Sequence, residues 1–281
     1  MRKIRALLLD LDGVVYLGPR LIPGVKTALR ALASRGIKLL YVTNNSTLTR
    51  AGFAKKLRAL GLPAPDHTVM NAALAAAFLI RERHGRGKRV VVVGEHGLPQ
   101  ELRSAGLKPV ETRTEAQWKA WRKNAGKISA VVTSFDRTLT YWKLCAALDA
   151  LNAGAELVAA NMDPTWPSEV GVMPGTGSLA SLLAYASGKK PVVVGKPVPA
   201  MFRMLLQSHG VSPRETLVIG DRLDVDIEAG KRLGARTAVV LTGLTSRKDL
   251  ARSKVKPDYV LRGLGDLLAP KLSVLFAKGK P

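Results

Sequence analysis

The chain has 281 residues, of which 47% are hydrophobic and 23% are charged, and these are ordinary values for a globular protein. This composition excludes a disordered chain, a collagen and a small disulfide-rich domain, and the length allows two domains. The net charge of +23 is unusual and indicates an anionic partner, such as a nucleic acid, an acidic membrane or a phosphorylated small molecule.

Short runs rich in Val, Ile and Leu alternate along the chain with segments of helical periodicity. Runs of this kind, without polar alternation, are typical of strands buried on both faces of a parallel sheet. The predicted strands are residues 4–9, 37–43, 89–93, 128–133, 156–160, 191–194, 216–220, 236–241 and 258–260. The predicted helices include residues 24–34, 49–60, 141–152 and 200–209. We therefore expect an α/β fold with right-handed crossovers between parallel strands.

The middle of the chain differs in composition from its two ends. All four Trp residues lie between residues 81 and 185. This segment carries a net charge of +4, whereas residues 1–80 carry +9 and residues 186–281 carry +10. We predict that the two basic end segments form one domain and that residues 81–185 form a smaller domain inserted into it.

No targeting or membrane segment is evident in the sequence. The single cysteine, Cys145, has no partner for an internal disulfide. The first apolar run ends at Leu9, before Asp10, and is too short for a signal peptide. No stretch approaches the roughly 18 apolar residues of a membrane-spanning helix. We therefore expect a cytoplasmic protein with no membrane partner.

Two carboxylates follow the first predicted strand, where the run Leu7-Leu8-Leu9 leads directly into Asp10-Leu11-Asp12-Gly13. Ligands bind at the carboxyl ends of the strands in open α/β sheets. Because Asp10 and Asp12 are two residues apart, their side chains point the same way on an extended backbone. They repel each other unless one is protonated or a cation lies between them. By itself, the pair also fits two solvated turn residues.

Polar groups also follow three later strands. Thr43 and Asn44 supply hydroxyl and amide donors that suit phosphate oxygens, although such residues also form turns. Lys196 follows a run of valines and is a compact point charge of the kind that holds a phosphate. Asp221 follows another buried strand. Because Mg²⁺ prefers carboxylates, phosphate and water as ligands, the four strand ends together predict a site for phosphoryl transfer with Mg²⁺.

Four motifs in this order carry a resemblance to a known family: DLDGVVYLG (10–18), TNNS (43–46), GKP (195–197) and GDRLDVDI (220–227). Two stretches of the middle segment add to it, SFDRTLTYWKL (134–144) and NMDPTWPSEVGVMPGTGSLA (161–180). The sequence resembles the haloacid dehalogenase superfamily of phosphatases, in particular the NagD-like and 4-nitrophenyl phosphatases with an inserted α/β cap. The resemblance implies a Rossmann-like parallel-sheet core in residues 1–80 and 186–281, and a cap in residues 81–185.

The resemblance assigns the central chemistry to three aspartates. Asp10 is expected to be the nucleophile, which attacks phosphorus and forms an aspartyl-phosphate. Asp12 is expected to protonate the leaving alcohol and then to activate the hydrolytic water. Mg²⁺ is expected to bind the Asp10 side chain, the Asp12 backbone carbonyl and Asp221.

Other residues are assigned supporting roles by the same resemblance. Thr43, Asn44 and Lys196 are expected to bind the phosphate. Asp226 is expected to orient Lys196 or a metal-bound water, unless it serves only as an acidic residue at a helix N-terminus. Trp166 is expected to contact the leaving group and to influence specificity, unless it packs in the cap core.

The resulting prediction is a Mg²⁺-dependent enzyme that hydrolyses small organic phosphate monoesters, such as 4-nitrophenyl, sugar, glycerol, glycolate or nucleotide phosphates. A phosphotransferase with the same intermediate is an alternative, because it differs only in what attacks the aspartyl-phosphate. A basic nucleic-acid-binding protein on a relict phosphatase fold is another, but no recognisable nucleic-acid motif supports it. We expect a small phosphate ester as partner, no nucleic acid, and, by analogy, a homodimer through the cap.

Overall fold

A computed structural model describes residues 3–168 and 171–276 of the chain. The chain divides into two compact units. The first comprises Met1–Thr43, Ala51–Met70 and Lys196–Pro281, and the second comprises Asn44–Arg50 and Asn71–Gly195. The main segment of the second unit thus begins at residue 71 rather than 81 and ends at residue 195 rather than 185. The assignment of catalytic core and cap stays a prediction, and parts of it, residues 1–2, 169–170 and 277–281, lie outside the described residues.

The strands, in chain order, are β1 (Ala6–Leu9), β2 (Tyr16–Leu17), β3 (Arg20–Leu21), β4 (Lys38–Thr43), β5 (Val69–Asn71), β6 (Arg89–Val93), β7 (Lys108–Val110), β8 (Ile128–Thr133), β9 (Glu156–Ala159), β10 (Thr165–Ser168), β11 (Gly171–Pro174), β12 (Val192–Val193), β13 (Thr216–Gly220), β14 (Arg236–Val240) and β15 (Tyr259–Leu261). All nine predicted strands correspond to strands of the structure. The short strands β5 and β7 and the hairpins β2–β3 and β10–β11 were not predicted, because two to four residues show too little periodicity.

The α-helices are α1 (Val25–Ser34), α2 (Arg50–Ala59), α3 (Ala72–His84), α4 (Gly97–Ser104), α5 (Glu115–Arg122), α6 (Tyr141–Asn152), α7 (Thr176–Ser187), α8 (Ala200–Ser208), α9 (Glu228–Leu233), α10 (Arg247–Arg252) and α11 (Pro270–Ser273). A π-helical turn, Leu223–Ile227, leads into α9. Within the described part of the chain, no helix has both the length and the apolar composition needed to cross a membrane.

The first unit contains a six-stranded sheet in the order β15-β14-β13-β1-β4-β5. Strand β1 lies between β13 and β4 and is parallel to both. Its leucines are completely buried, and burial of each such side chain contributes about 2 kcal/mol. Because Leu9 is paired with Ile219 on one side and Tyr41 on the other, the three strands end at the same edge of the sheet. This edge therefore brings together the residues that follow each strand.

The second unit contains a five-stranded sheet in the order β12-β9-β8-β6-β7, in which all neighbouring strands are parallel. The predicted parallel-sheet α/β fold is thus confirmed, and it occurs in both units. One detail differs from the prediction. Strand β12, which precedes Lys196, pairs with β9 and so belongs to this second sheet. Lys196 therefore does not follow a strand of the sheet that carries Asp10.

A buried ion pair stabilises the second unit. Lys143 Nζ on α6 lies 2.7 Å from Asp136 Oδ2, and these side chains are 2% and 0% exposed. Lys143 also donates a hydrogen bond of 3.0 Å to Thr138 Oγ1. Removal of one partner would leave the other charge buried without compensation, and such an uncompensated buried charge strongly lowers the stability of the fold.

We expect Lys143→Met to lower the free energy of unfolding, measured by urea denaturation, by about 3–5 kcal/mol. The matched control is Lys119→Met, because Lys119 forms an exposed ion pair with Glu115. We expect that variant to lose less than about 1 kcal/mol. Equal losses in the two variants would contradict the stabilising role assigned to the buried pair.

Candidate active site

The candidate site is organised around Lys196, which is 3% exposed and lies between two carboxylates of the first unit. Its ammonium donates hydrogen bonds of 2.6 Å to Asp10 Oδ1 and 2.6 Å to Asp226 Oδ1. A longer contact of 3.4 Å reaches the carbonyl of Val42, which immediately precedes Thr43. Burial by itself lowers the pKa of Lys196, but the two carboxylates outweigh it and raise that pKa. Lys196 is therefore held as a cation.

Three carboxylates, those of Asp10, Asp221 and Asp226, each place an oxygen within 4.8 Å of the others. Burial is the largest cause that raises the pKa of Asp10, and the charges of Asp226 and Asp221 add to it, while Lys196 opposes it. Burial and then the charge of Asp226 raise the pKa of Asp221 to about 6. Because three carboxylates face one ammonium, the cluster has an excess of negative charge that a bound cation would relieve.

The π-helical turn Leu223–Ile227 and a glycine together place Asp226 in this cluster. Asp226 Oδ2 accepts a hydrogen bond from the Arg222 backbone N–H at 3.1 Å. A Cβ atom at Gly220 would overlap the Asp226 side chain, so only glycine allows this approach. Single π-helical turns often occur at functional sites, and this one presents the carboxylate to Lys196.

Asp221 is held by the loop that follows β14. Its Oδ2 accepts a hydrogen bond of 2.8 Å from the Leu244 backbone N–H, and its carbonyl accepts one of 3.2 Å from Thr245. A Cβ atom at Gly243 would overlap the Asp221 side chain. This loop was not predicted from the sequence, although Gly243 comes soon after a buried strand, which is the pattern that the other predicted site residues share.

Asp12 lies next to this cluster in a more open position. The residue is exposed to solvent, yet desolvation by the surrounding protein raises its pKa, against the charges of Lys56 and then Lys196. Its carbonyl oxygen accepts no hydrogen bond from the described residues. Asp224, by contrast, pairs with Arg222 at 3.0 Å and has a side chain that is 73% exposed, so it lies at the surface.

The two predicted phosphate donors of the second strand belong to different units. Thr43 is the last residue of β4, is 2% exposed and belongs to the first unit. Asn44 belongs to the second unit, where its side-chain amide donates a hydrogen bond of 3.1 Å to Asp163 Oδ2. The Asn161 amide donates one of 3.0 Å to the Asn44 carbonyl. Asn44 is thus held by the segment that resembles the cap loop of the family.

Trp166 lies on β10 of the second unit and is half-buried. Its ring centroid is 5.1 Å from that of Phe135. Trp118, in contrast, stacks on Trp142 at 5.4 Å and donates a hydrogen bond of 2.8 Å to Asp149. These contacts distinguish a tryptophan of the hairpin from a tryptophan of the helical layer.

The chain matches two family models and the sequences of known proteins. Residues 7–108 match the family model described as haloacid dehalogenase-like hydrolase, and residues 193–267 match the HAD-hydrolase-like model. An acid sugar phosphatase from Staphylococcus aureus is 34% identical over 269 residues, which are 96% of this chain and 98% of that protein.

Solved structures agree with the sequence matches. A p-nitrophenyl phosphatase from Archaeoglobus fulgidus has a TM-score of 0.84 and 33% identity, covering 95% of this chain and 98% of the other. A glycerol phosphate phosphatase from Mycobacterium tuberculosis in complex with magnesium also has a TM-score of 0.84, with 34% identity, covering 99% of this chain and 80% of the other.

The chain matches these proteins over nearly its whole length, and its first unit brings a lysine and several aspartates together near one edge of a parallel sheet. The chain therefore belongs to the haloacid dehalogenase-like hydrolases. Within that family it is a phosphatase of the NagD-like and 4-nitrophenyl phosphatase type. The predicted family and enzyme class are confirmed.

We expect Gly220→Ala to lower kcat/KM for 4-nitrophenyl phosphate by about 100-fold, because displacement of a supporting group by about 1 Å has effects of this size. The added methyl would push Asp226 away from Lys196. Gly265→Ala is the control, since a Cβ there meets no heavy atom within 4 Å. Wild-type activity in Gly220→Ala would show that the position of Asp226 does not matter for turnover.

Proposed function

We propose that the enzyme hydrolyses small phosphate monoesters in a Mg²⁺-dependent reaction through an aspartyl-phosphate formed on Asp10. The observation that carries this proposal is the buried Lys196, hydrogen-bonded at 2.6 Å to both Asp10 and Asp226. A lysine so placed holds the Asp10 carboxylate in one orientation and offsets part of its charge as it approaches an anionic phosphate.

The donor set fits a magnesium ion. Asp10 Oδ2 and Asp221 Oδ1 accept no hydrogen bond from the described residues, and neither does the Asp12 carbonyl. Both oxygens of Asp226 accept hydrogen bonds, from Lys196 and from the Arg222 N–H, so Asp226 better suits a supporting role. Asp10, Asp221 and the Asp12 carbonyl would therefore hold the ion. When bound, Mg²⁺ would neutralise charge between the nucleophile and the phosphate.

The protein residues account for both halves of the reaction. A carboxylate oxygen of Asp10 forms a bond to phosphorus as the bond from phosphorus to the ester oxygen breaks. Asp12 gives its proton to the departing oxygen, and desolvation by the surrounding protein, which raises its pKa, favours the protonated form that this step needs. In the second half, Asp12 takes a proton from water, and the resulting hydroxide attacks phosphorus. Inorganic phosphate leaves, and the Asp10 carboxylate is restored.

The substrates of the relatives set the range to test. The similar proteins act on sugar, nitrophenyl and glycerol phosphates. Thr43, Asn44 and Lys196 would contact the phosphate group, which all three kinds of substrate share. We therefore expect other residues to recognise the leaving group. Trp166 is our candidate, because its hairpin belongs to the stretch that resembles the cap loop of the family.

We expect Asp10→Asn to abolish turnover of 4-nitrophenyl phosphate, because an amide lacks the nucleophilic carboxylate.

We expect Asp221→Ala to raise the Mg²⁺ concentration needed for half-maximal activity at least about tenfold, since one ligand of the ion is lost. Activity is measured against Mg²⁺ concentration, with EDTA as the metal-free reference.

The matched control is Asp224→Asn, which removes an exposed carboxylate three residues from Asp221. It should keep wild-type activity and Mg²⁺ dependence. Turnover by the wild type in EDTA would refute the metal requirement. Absence of turnover under all conditions, together with steeply salt-dependent binding to DNA, would favour the nucleic-acid-binding alternative.

We expect Trp166→Ala to change the ranking of a panel of phosphate monoesters more than Trp118→Ala does. Trp118→Ala loses a stacked ring and a hydrogen bond to Asp149, so its main effect should be a lower melting temperature of the second unit. The panel compares kcat/KM for 4-nitrophenyl, glycerol and sugar phosphates. An unchanged ranking in Trp166→Ala would contradict the role of the hairpin in specificity.

A further inference from the structure

Lys56 is a partly buried cation of the first unit that forms no ion pair within the described part of the chain. It lies on α2, and its ammonium is 3.5 Å from the centroid of the Tyr16 ring. Its hydrogen bond goes to the Gly18 carbonyl at 3.2 Å. Since an ammonium has three N–H donors, this bond leaves donor capacity for a ligand.

This lysine packs against a residue that is bridged to Asp12, because Tyr16, whose ring lies under the ammonium, forms an isolated β-bridge with Asp12. The backbone N–H of Gly13 donates a hydrogen bond of 2.9 Å to the Tyr16 carbonyl, which ties the hairpin β2–β3 to the Asp12 loop. Burial lowers the pKa of Lys56, and the negative charge of Asp12 acts against that change. The same ammonium lowers the pKa of Asp12. The two side chains therefore interact electrostatically without forming a direct ion pair.

Tyr16 carries a buried polar group without a partner among the described residues. Its side chain is 1% exposed, and its hydroxyl has no hydrogen-bond partner among the described residues. Buried hydroxyls normally have such a partner, supplied by protein or by an ordered water or ligand. The charges of Asp12 and Asp10 add to the effect of burial in raising the pKa of Tyr16, which places the phenol near both carboxylates. An ammonium without a carboxylate partner and a hydroxyl without a hydrogen-bond partner, both among the described residues, thus occur together beside Asp12.

The position of Asp12 determines which part of a bound substrate would lie near the Lys56 ammonium and the Tyr16 side chain. In the proposed function, on which this inference rests, Asp12 protonates the ester oxygen, so the leaving group must begin next to it. An anionic group further along that leaving group would then face the Lys56 ammonium, which has no carboxylate of its own among the described residues. The partly desolvated setting strengthens that attraction relative to water. Lys196 cannot serve this purpose, because Asp10 and Asp226 already hold it.

We propose that Lys56 is a specificity-determining residue that favours phosphate monoesters whose leaving group carries a second negative charge, such as a carboxylate. The Tyr16 ring supports the ammonium from one side, and the Gly18 carbonyl fixes its direction. Lys56 thereby selects among substrates through the charge of the leaving group.

The test compares two substrates that differ in this charge, 2-phosphoglycolate and 2-hydroxyethyl phosphate, in Mg²⁺-supplemented assays. The main variant is Lys56→Gln, which keeps a donor for the Gly18 carbonyl but loses the charge. We expect the ratio of kcat/KM, phosphoglycolate over hydroxyethyl phosphate, to fall about tenfold or more, mostly through KM, as for loss of a charge-assisted hydrogen bond. Lys56→Arg should keep most of the ratio.

Lys55→Met is the matched control, because Lys55 is the exposed neighbour on the same helix. It should leave the ratio unchanged. In the wild type, the ratio should also fall as NaCl is raised, which tests the proposal without any substitution. An equal loss for both substrates in Lys56→Gln, an unchanged ratio, or a ratio insensitive to salt would overturn the inference. In each of these cases the wild type still hydrolyses both substrates, whereas failure of the proposed function would abolish hydrolysis of both.

Discussion

The arrangement of the site depends on one buried charge. Lys196 is almost completely excluded from solvent, so its ammonium must be compensated by groups within hydrogen-bond distance. Asp10 and Asp226 supply this compensation at 2.6 Å each. Because the two carboxylates lie more than 200 residues apart in sequence, a single electrostatic requirement ties the first strand of the chain to a turn near its end. Gly220 makes the contact sterically feasible.

The sequence was enough to predict that the polar residues following three of the strands lie near one another, and the reason is geometric. Strands β1, β4 and β13 are neighbours in a parallel sheet, so residues that follow them share one edge. Lys196 reaches the same place by another route, since its strand β12 pairs in the second unit. Lys196 itself was predicted, but the sheet of its strand was not. The π-helical turn and the Gly243 loop were not predicted at all, because both depend on contacts with Asp226 and Asp221 that local periodicity does not encode.

The net charge of the chain has a smaller role than its size suggests. The predicted core segments carry 19 of the 23 excess positive charges, but most basic residues lie at the surface. For the site, the position of each lysine and the carboxylates paired with it matter more than the total number of basic residues. Lys196 and Lys143 are each held by a buried or nearly buried carboxylate, whereas Lys56 has none within ion-pair distance among the described residues. The sequence does not distinguish these three lysines, and only the structure separates the two that are paired with carboxylates from the one that has no such partner among the described residues.

The motif TNNS shows why a short sequence signature is not one structural element. Strand β4 delivers Thr43 to the first unit, whereas the loop Asn44–Arg50 belongs to the second. There Asp163 and Asn161 hold Asn44, and the buried Glu101 accepts a hydrogen bond from the Arg50 backbone N–H. Adjacent residues with one predicted task are thus supported by separate sets of contacts. A substitution at Asp163 or Asn161 therefore acts on Asn44, one of the predicted phosphate donors, within the second unit and without involving the Lys196 cluster.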